Sequence, residues 1–232
     1  MELPKVKLLI ISFLVASLIA VLGNNNAENY TLRIVASRDA AGMMVSFAAE
    51  MGIALTRLAD CCGIAAEVAL EAGIFDMAVL CPDAAKILMQ HDDSLKIVGG
   101  IVKNANVLAS KTHDTPLNIG YTVGRSSQRK AAKASYGESN LIPLATAALP
   151  FALESGQVDA IVLDILTATE SEIMHILRPL PHDVPTSVLV VNAEIIDTQL
   201  YKDFISTYNS IIKVTEMEPI WKAMGTSFIS IE

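Results

Sequence analysis

The sequence predicts an α/β fold of two similar lobes around a central cleft. Three observations carry this expectation. Short aliphatic runs alternate with amphipathic stretches along nearly the whole chain. One block, Leu70–Leu80, recurs at Leu153–Leu163, a spacing that suits a duplicated lobe. Hydrophobic residues make up 52% of the 232 residues and aromatics only 5%, the aliphatic balance of helices packed on buried parallel strands.

The elements follow in order. In the first half, strands are expected at Leu32–Ala36, Ala54–Leu58 and Phe75–Leu80, with helices at Gly42–Glu50, Ile64–Ala72 and Asp83–Gln90. Leu95–Val102 and Asn106–Ser110 read as strands leading out of the first lobe. In the second half, strands are expected at Leu117–Tyr121, Leu141–Ala145 and Asp159–Leu163, with helices at Ser127–Tyr136, Leu149–Ser155 and Leu166–Met174. Ser187–Asn192 reads as a strand returning to the first lobe. In Thr198–Val214, Tyr201, Phe204, Ile205, Tyr208 and Ile212 stand at helical spacing. The expected organisation is an N-terminal segment 1–23, a first lobe 31–110 completed by about 190–232, and a second lobe 111–187.

The repeat has a mechanical reading. Leu, Glu, Gly, Asp, Val and Leu coincide without a gap between the two blocks. Gly73 and Gly156 follow helices and suit the positive φ of a C-cap. Asp76 and Asp159 open the aliphatic runs that follow.

Charge and cysteine usage narrow the function. The formal net charge is −8, and the only basic cluster is Arg125, Arg129, Lys130 and Lys133. Nucleic-acid binding calls for a broader positive face, so no nucleic-acid partner is expected. Lys5 and Lys7 precede an uncharged run from Leu8 to Leu22, the pattern of an export signal, with Val21 and Gly23 suiting a cut at Asn24. The other reading of this run is a retained membrane anchor. Either way the chain is expected outside the cytoplasm, periplasmic or at the cell surface. The three cysteines, Cys61, Cys62 and Cys81, are too few for a disulfide scaffold in a chain of this length.

Three stretches together resemble the substrate-binding proteins of ABC importers. They are the opening strand Leu32-Arg33-Ile34-Val35-Ala36 with the Ser37–Gly42 loop, the Leu70–Leu80 block, and Ala152–Val162. The pattern is similar in particular to the bilobed type 2 group that includes binders of sulfonates, nitrate and thiamine precursors. The resemblance implies a periplasmic-binding-protein type 2-like fold and capture of a small solute for importer permease subunits. It implies a binder rather than an enzyme. The alternative is a thiamine-precursor-type enzyme or a ligand-sensing module on the same fold. The Asp60-Cys61-Cys62-Gly63 loop departs from the family pattern. Its vicinal cysteines resemble binding components associated with selenocysteine-assisted organometal metabolism.

Ligands of open parallel sheets sit beyond the carboxyl ends of the strands. That rule selects Ser37, Arg38 and Asp39, then Asp60, Cys61 and Cys62, then Cys81 with Pro82 and Asp83. In the second lobe it selects Thr122, Gly124, Arg125, Ser126 and Ser127, then Thr146, then Asp164. All three cysteines fall at such ends. Adjacent thiols make a strained disulfide and suit a soft metal or organometal, so Cys61, Cys62 and Cys81 are the candidate metal ligands. No resident cofactor is expected. Strand spacing puts Cys81 about 10 Å from the pair. Gly124-Arg125-Ser126-Ser127 opens a helix, where backbone N–H groups can hold an anion; the plainer reading is N-capping by Ser126 or Ser127.

Overall fold

A computed structural model describes residues 31–49, 54–58, 73–171, 176–180 and 183–232. The export segment, the Asp60–Gly63 loop and the helix expected at Ile64–Ala72 lie outside the described residues.

The described chain from Leu32 onward builds two sheets. The first contains β1 (Arg33–Ser37), β2 (Ala54–Leu58), β3 (Met77–Leu80), β4 (Leu95–Lys103), β10 (Pro185–Asn192) and β11 (Ser227–Phe228), in the order β11-β4-β10-β3-β1-β2. The second contains β5 (Asn106–Ser110), β6 (Asn118–Thr122), β7 (Asn140–Leu144), β8 (Ala160–Asp164) and β9 (Ile176–Pro179), in the order β7-β6-β8-β5-β9. Apart from β11, the two orders are the same. In each, three parallel strands are followed by one antiparallel strand, β10 beside β3 and β5 beside β8.

That antiparallel strand differs from the sequence expectation. Asn106–Ser110 was expected to lead out of the first lobe as its last strand, within 31–110, and it pairs with β8 and β9 in the second sheet. Only two residues separate it from β4, so the chain changes sheets at once, turning at Asn104 with φ 52°. The return runs from β9 to β10. These two connections are the crossings between the sheets. Strand β9 was not expected, because Ile176–Pro179 ends in an Arg-Pro pair that masks its aliphatic start.

Helices cover the sheets. Among the described residues they are α1 (Ala40–Ala49), α2 (Pro82–His91), α3 (Ser126–Ser135), α4 (Leu149–Glu154), α5 (Ile165–Glu170), α6 (Gln199–Val214) and α7 (Pro219–Ala223). Helix α6 packs on α1 and buries Tyr201, Phe204 and Tyr208, three of the positions its sequence spacing selects. Tyr208 is fully buried, its hydroxyl 3.2 Å from the Ile101 carbonyl and 3.1 Å from that of Ile229. Trp221 is buried against Phe228, ring centroids 6.1 Å apart.

The repeated block has a shared job. Asp76 N–H donates to the Arg33 carbonyl and Asp159 N–H to the Asn118 carbonyl, both at 2.9 Å. Each carboxylate returns the bond: Asp76 Oδ2 accepts Arg33 N–H at 2.8 Å, and Asp159 Oδ2 accepts Asn118 N–H at 2.9 Å. The aspartate entering the third strand of each lobe therefore pins the start of the first. Gly73 and Gly156 have φ of +65° and +73°, the left-handed conformation that glycine adopts without steric cost.

Candidate functional site

The carboxyl ends of β1, β6 and β8 meet between the two sheets. Ser37 ends β1 and Asp39 follows it at the start of α1. Asp39 Oδ1 accepts Gly42 N–H at 2.8 Å, an N-capping bond, and Oδ2 accepts the Ser37 hydroxyl. Gly42 is required here, because a Cβ at this position would lie 1.9 Å from the Ser37 carbonyl oxygen. That close approach sets the first turn of α1 directly on the end of β1.

From the second lobe, Thr122 ends β6, Arg125 precedes α3, and Asp164 ends β8. Asp164 caps α5, its Oδ1 accepting Leu166 N–H at 2.9 Å. The same oxygen accepts Ala40 N–H from α1 of the first lobe at 3.0 Å. Gln128 is buried, its Oε1 accepting Thr122 N–H at 2.9 Å and its amide donating to Asn106 Oδ1 at 3.3 Å. It locks α3 to both β6 and β5.

These groups enclose a cavity of about 70 Å³. Ser37, Arg38 and Asp39 line it from the first lobe, and Thr122, Arg125, Gln128, Thr146, Asp164 and Thr167 from the second. Leu149, Val162 and Leu163 complete the wall. Burial is the largest cause raising the Asp164 carboxyl, to about 8, and the neighbouring Asp39 adds to it. Hydrogen bonds from Ala40 and Leu166 and the charge of Arg125 oppose the rise without cancelling it. Asp39 and Asp164 thus face one space from opposite lobes, with Arg38 and Arg125 lining it as well.

Of the residues selected from sequence, Ser37, Arg38, Asp39, Thr122, Arg125, Thr146 and Asp164 line the cavity. Ser126 and Ser127 do not. Ser126 Oγ–H donates to Asp83 Oδ1 at 2.5 Å and Ser127 N–H to Asp83 Oδ2 at 3.1 Å. The anion at the start of α3 is the protein's own carboxylate, and neither serine caps the helix through its side chain. Cys81 also needs correcting as a cleft residue. It is 2% exposed and packs among Val35, Leu80, Ala84 and Leu88. Its small apolar side chain is drawn into the α2–sheet interface, as cysteines commonly are. Asp60, Cys61 and Cys62 lie outside the described residues. Among the described residues, no group of three or more His, Cys, Asp or Glu is placed to hold a metal ion. Sequence reasoning missed Gln128, Thr167 and the apolar wall. Gln128 reads locally as an exposed helix position, and only its bond across to Asn106 marks it.

No family model and no curated protein matches the sequence. Solved structures do match the chain. A nutrient-binding protein from Burkholderia cenocepacia bound to methionine superposes with a TM-score of 0.60 at 14% identity, covering 85% of this chain and 99% of that one. The fold is that of the two-lobed solute-binding proteins. A ligand-binding component of an ABC-type import system from Staphylococcus aureus with zinc bound matches at TM-score 0.58 and 14% identity, over 87% of this chain and 86% of the other. The periplasmic aliphatic sulphonate-binding protein of Escherichia coli matches at 0.57 and 15%, over 78% and 72%. In a two-lobed solute-binding fold the cleft between the sheets is where the polar side chains described above converge.

Proposed function

We propose that the chain is an extracytoplasmic solute-binding component of an ABC importer that captures a small zwitterionic or cationic solute. One observation carries the reading. Asp39 and Asp164 approach one interlobe cavity from opposite lobes, with Arg125 on the same wall. The two carboxyl groups form an acidic pole beside Arg38 and Arg125, with Asp164 holding a proton below about pH 8. A cationic group on the solute neutralises that pole better than the single proton it displaces, and an anionic group on the same solute faces Arg125. Solved proteins of this fold, two with methionine or zinc bound and one described as sulphonate-binding, support solute binding in general. The resemblance of the N-terminal run to an export signal supports the location.

Titration calorimetry of the purified chain against methionine and other amino acids, alkanesulfonates, zinc and an organomercurial tests the proposal. The expected result is one-to-one binding of an amino-acid-like solute, recovered unchanged, with sulfonates lacking a cationic group far weaker. Asp39→Ala and Asp164→Ala each remove a charged partner, so affinity falls about 10–100-fold. Equal affinity for zwitterion and bare sulfonate, or no loss in either variant, overturns it.

The thiolate reading is a finer proposal resting on the sequence of the Asp60–Gly63 loop. Cys81 lends it no support, since its side chain lies in the core. Cys61→Ser and Cys62→Ser are expected to abolish organomercurial binding while Cys81→Ser leaves it intact. Retained binding in both vicinal variants ends it.

A further inference from the structure

Each lobe sends one carboxylate to the N-terminus of the other lobe's first helix. Asp83, in the first turn of α2, accepts Ser126 Oγ–H and Ser127 N–H at the start of α3. Asp164, at the end of β8, accepts Ala40 N–H at the start of α1. The two receiving helices are equivalent. Helix α1 follows β1 and α3 follows β6, the strands that hold the same place in the two sheets. The two carboxylates are not at matching positions: Asp164 is the N-cap after its lobe's third parallel strand, and Asp83 lies two residues beyond the matching N-cap, Cys81. The N-terminus of a helix presents unpaired N–H groups and partial positive charge, so each carboxylate meets a complementary site, and the receiving ends correspond although the carboxylates do not.

We propose that Asp83 and Asp164 form a reciprocal clasp that holds the lobes closed before any solute arrives, with Asp83 acting as a positioning residue. Asp83 does not line the cavity. It fixes the first turn of α3, and that turn carries Arg125 and Gln128 into the cavity wall. Both bridges join groups on different lobes, so neither survives opening, and breaking one loosens the other. Closure is then partly built in, and solute entry requires the clasp to release. The role of the clasp in capture rests on the cleft reading above; its existence does not.

The test is amide hydrogen exchange, followed by NMR on the full solute-free chain, at Ala40 and Ser127. In the parent protein both amides are expected to be protected. In Asp83→Ala both exchange at least tenfold faster, and Ala40 is the decisive reporter because Asp83 does not touch it. Asp83→Asn keeps the acceptor shape without the charge. It shows the same pattern at smaller amplitude and carries the test if the alanine variant does not fold. Acceleration confined to Ser127 overturns the clasp and reduces Asp83 to a local cap of α3. Unprotected amides in the parent overturn it as well. Because no solute is present, these outcomes are independent of the calorimetry that tests solute binding.

Discussion

Asp164→Asn is expected to make the protein more stable above pH 8 and to flatten its stability against pH. The Asp164 carboxyl titrates at about 8 in the folded chain and near 3.9 when unfolded. Between those values the native state holds a proton that the unfolded state has released. Stability therefore falls as pH rises through this window and stays low above it. The full excursion is on the order of 5 kcal/mol. Asparagine mimics the protonated acid: its Oδ1 accepts the Ala40 and Leu166 N–H groups, and it adds no charge beside Asp39. Melting curves at pH 5 and 8.5 check this. The parent should lose roughly 10 °C between them, at about 2–4 °C per kcal/mol for a domain of this size, while the variant should change little. Equal pH dependence in both proteins rejects the burial of this group as the cause. The same linkage governs binding. A cationic solute that expels the proton should bind about tenfold more tightly per pH unit from 6 to 8.

Replacing the two aspartates of the repeated block by alanine should give unequal losses, although the two residues occupy the same place in the two lobes. Asp76 is 5% exposed and accepts from Arg33 three times, through N–H at 2.8 Å, Nε–H at 3.1 Å and Nη2–H at 2.8 Å. Removing it takes a charge partner from Arg33 and leaves the N–H at the start of β1 short of an acceptor, a loss of about 3–4 kcal/mol. Asp159 accepts Leu117 N–H and Asn118 N–H at 3.0 and 2.9 Å in an exposed setting. Water replaces it, and the loss is about 1 kcal/mol. Urea unfolding of Asp76→Ala and Asp159→Ala measures both. Losses of equal size would show that burial is not what distinguishes the two sites.

The alternation of strands and helices was legible because aliphatic runs and amphipathic periods are local signals. Ala54–Leu58 was expected and is β2; Leu149–Ser155 was expected and α4 spans Leu149–Glu154. The glycine conformations followed from the repeat alone. Sheet membership did not, since the pairing of Asn106–Ser110 with β8 is decided by topology and leaves no mark on five aliphatic-rich residues. Strand ends pointed to Asp39, Thr122, Arg125 and Asp164. They also pointed to Cys81, which holds in the first lobe the place of Asp164 in the second: each is the N-cap residue of the helix after the third parallel strand. Backbone position is shared and side-chain direction is not. Asp164 turns its oxygens to N–H groups, while Cys81 packs into the core. The partner of Ser126 was out of reach for a different reason. Asp83 arrives from the other lobe, and nothing in the residues around Ser126 announces it.

The exchange of strands between the halves of the chain also sets an order of assembly. All five strands of the second sheet lie between Asn106 and Pro179, so that lobe completes its sheet from one continuous stretch. The first sheet cannot. Strands β3 and β4 are joined only through β10 at Pro185–Asn192, and until that strand is made each presents an open edge. Pairings so distant along the chain form slowly, and open edges recruit other chains. During synthesis the lobe that begins first is the last to close, and the nascent protein is most exposed to misassociation at β3 and β4 just before its final segment arrives.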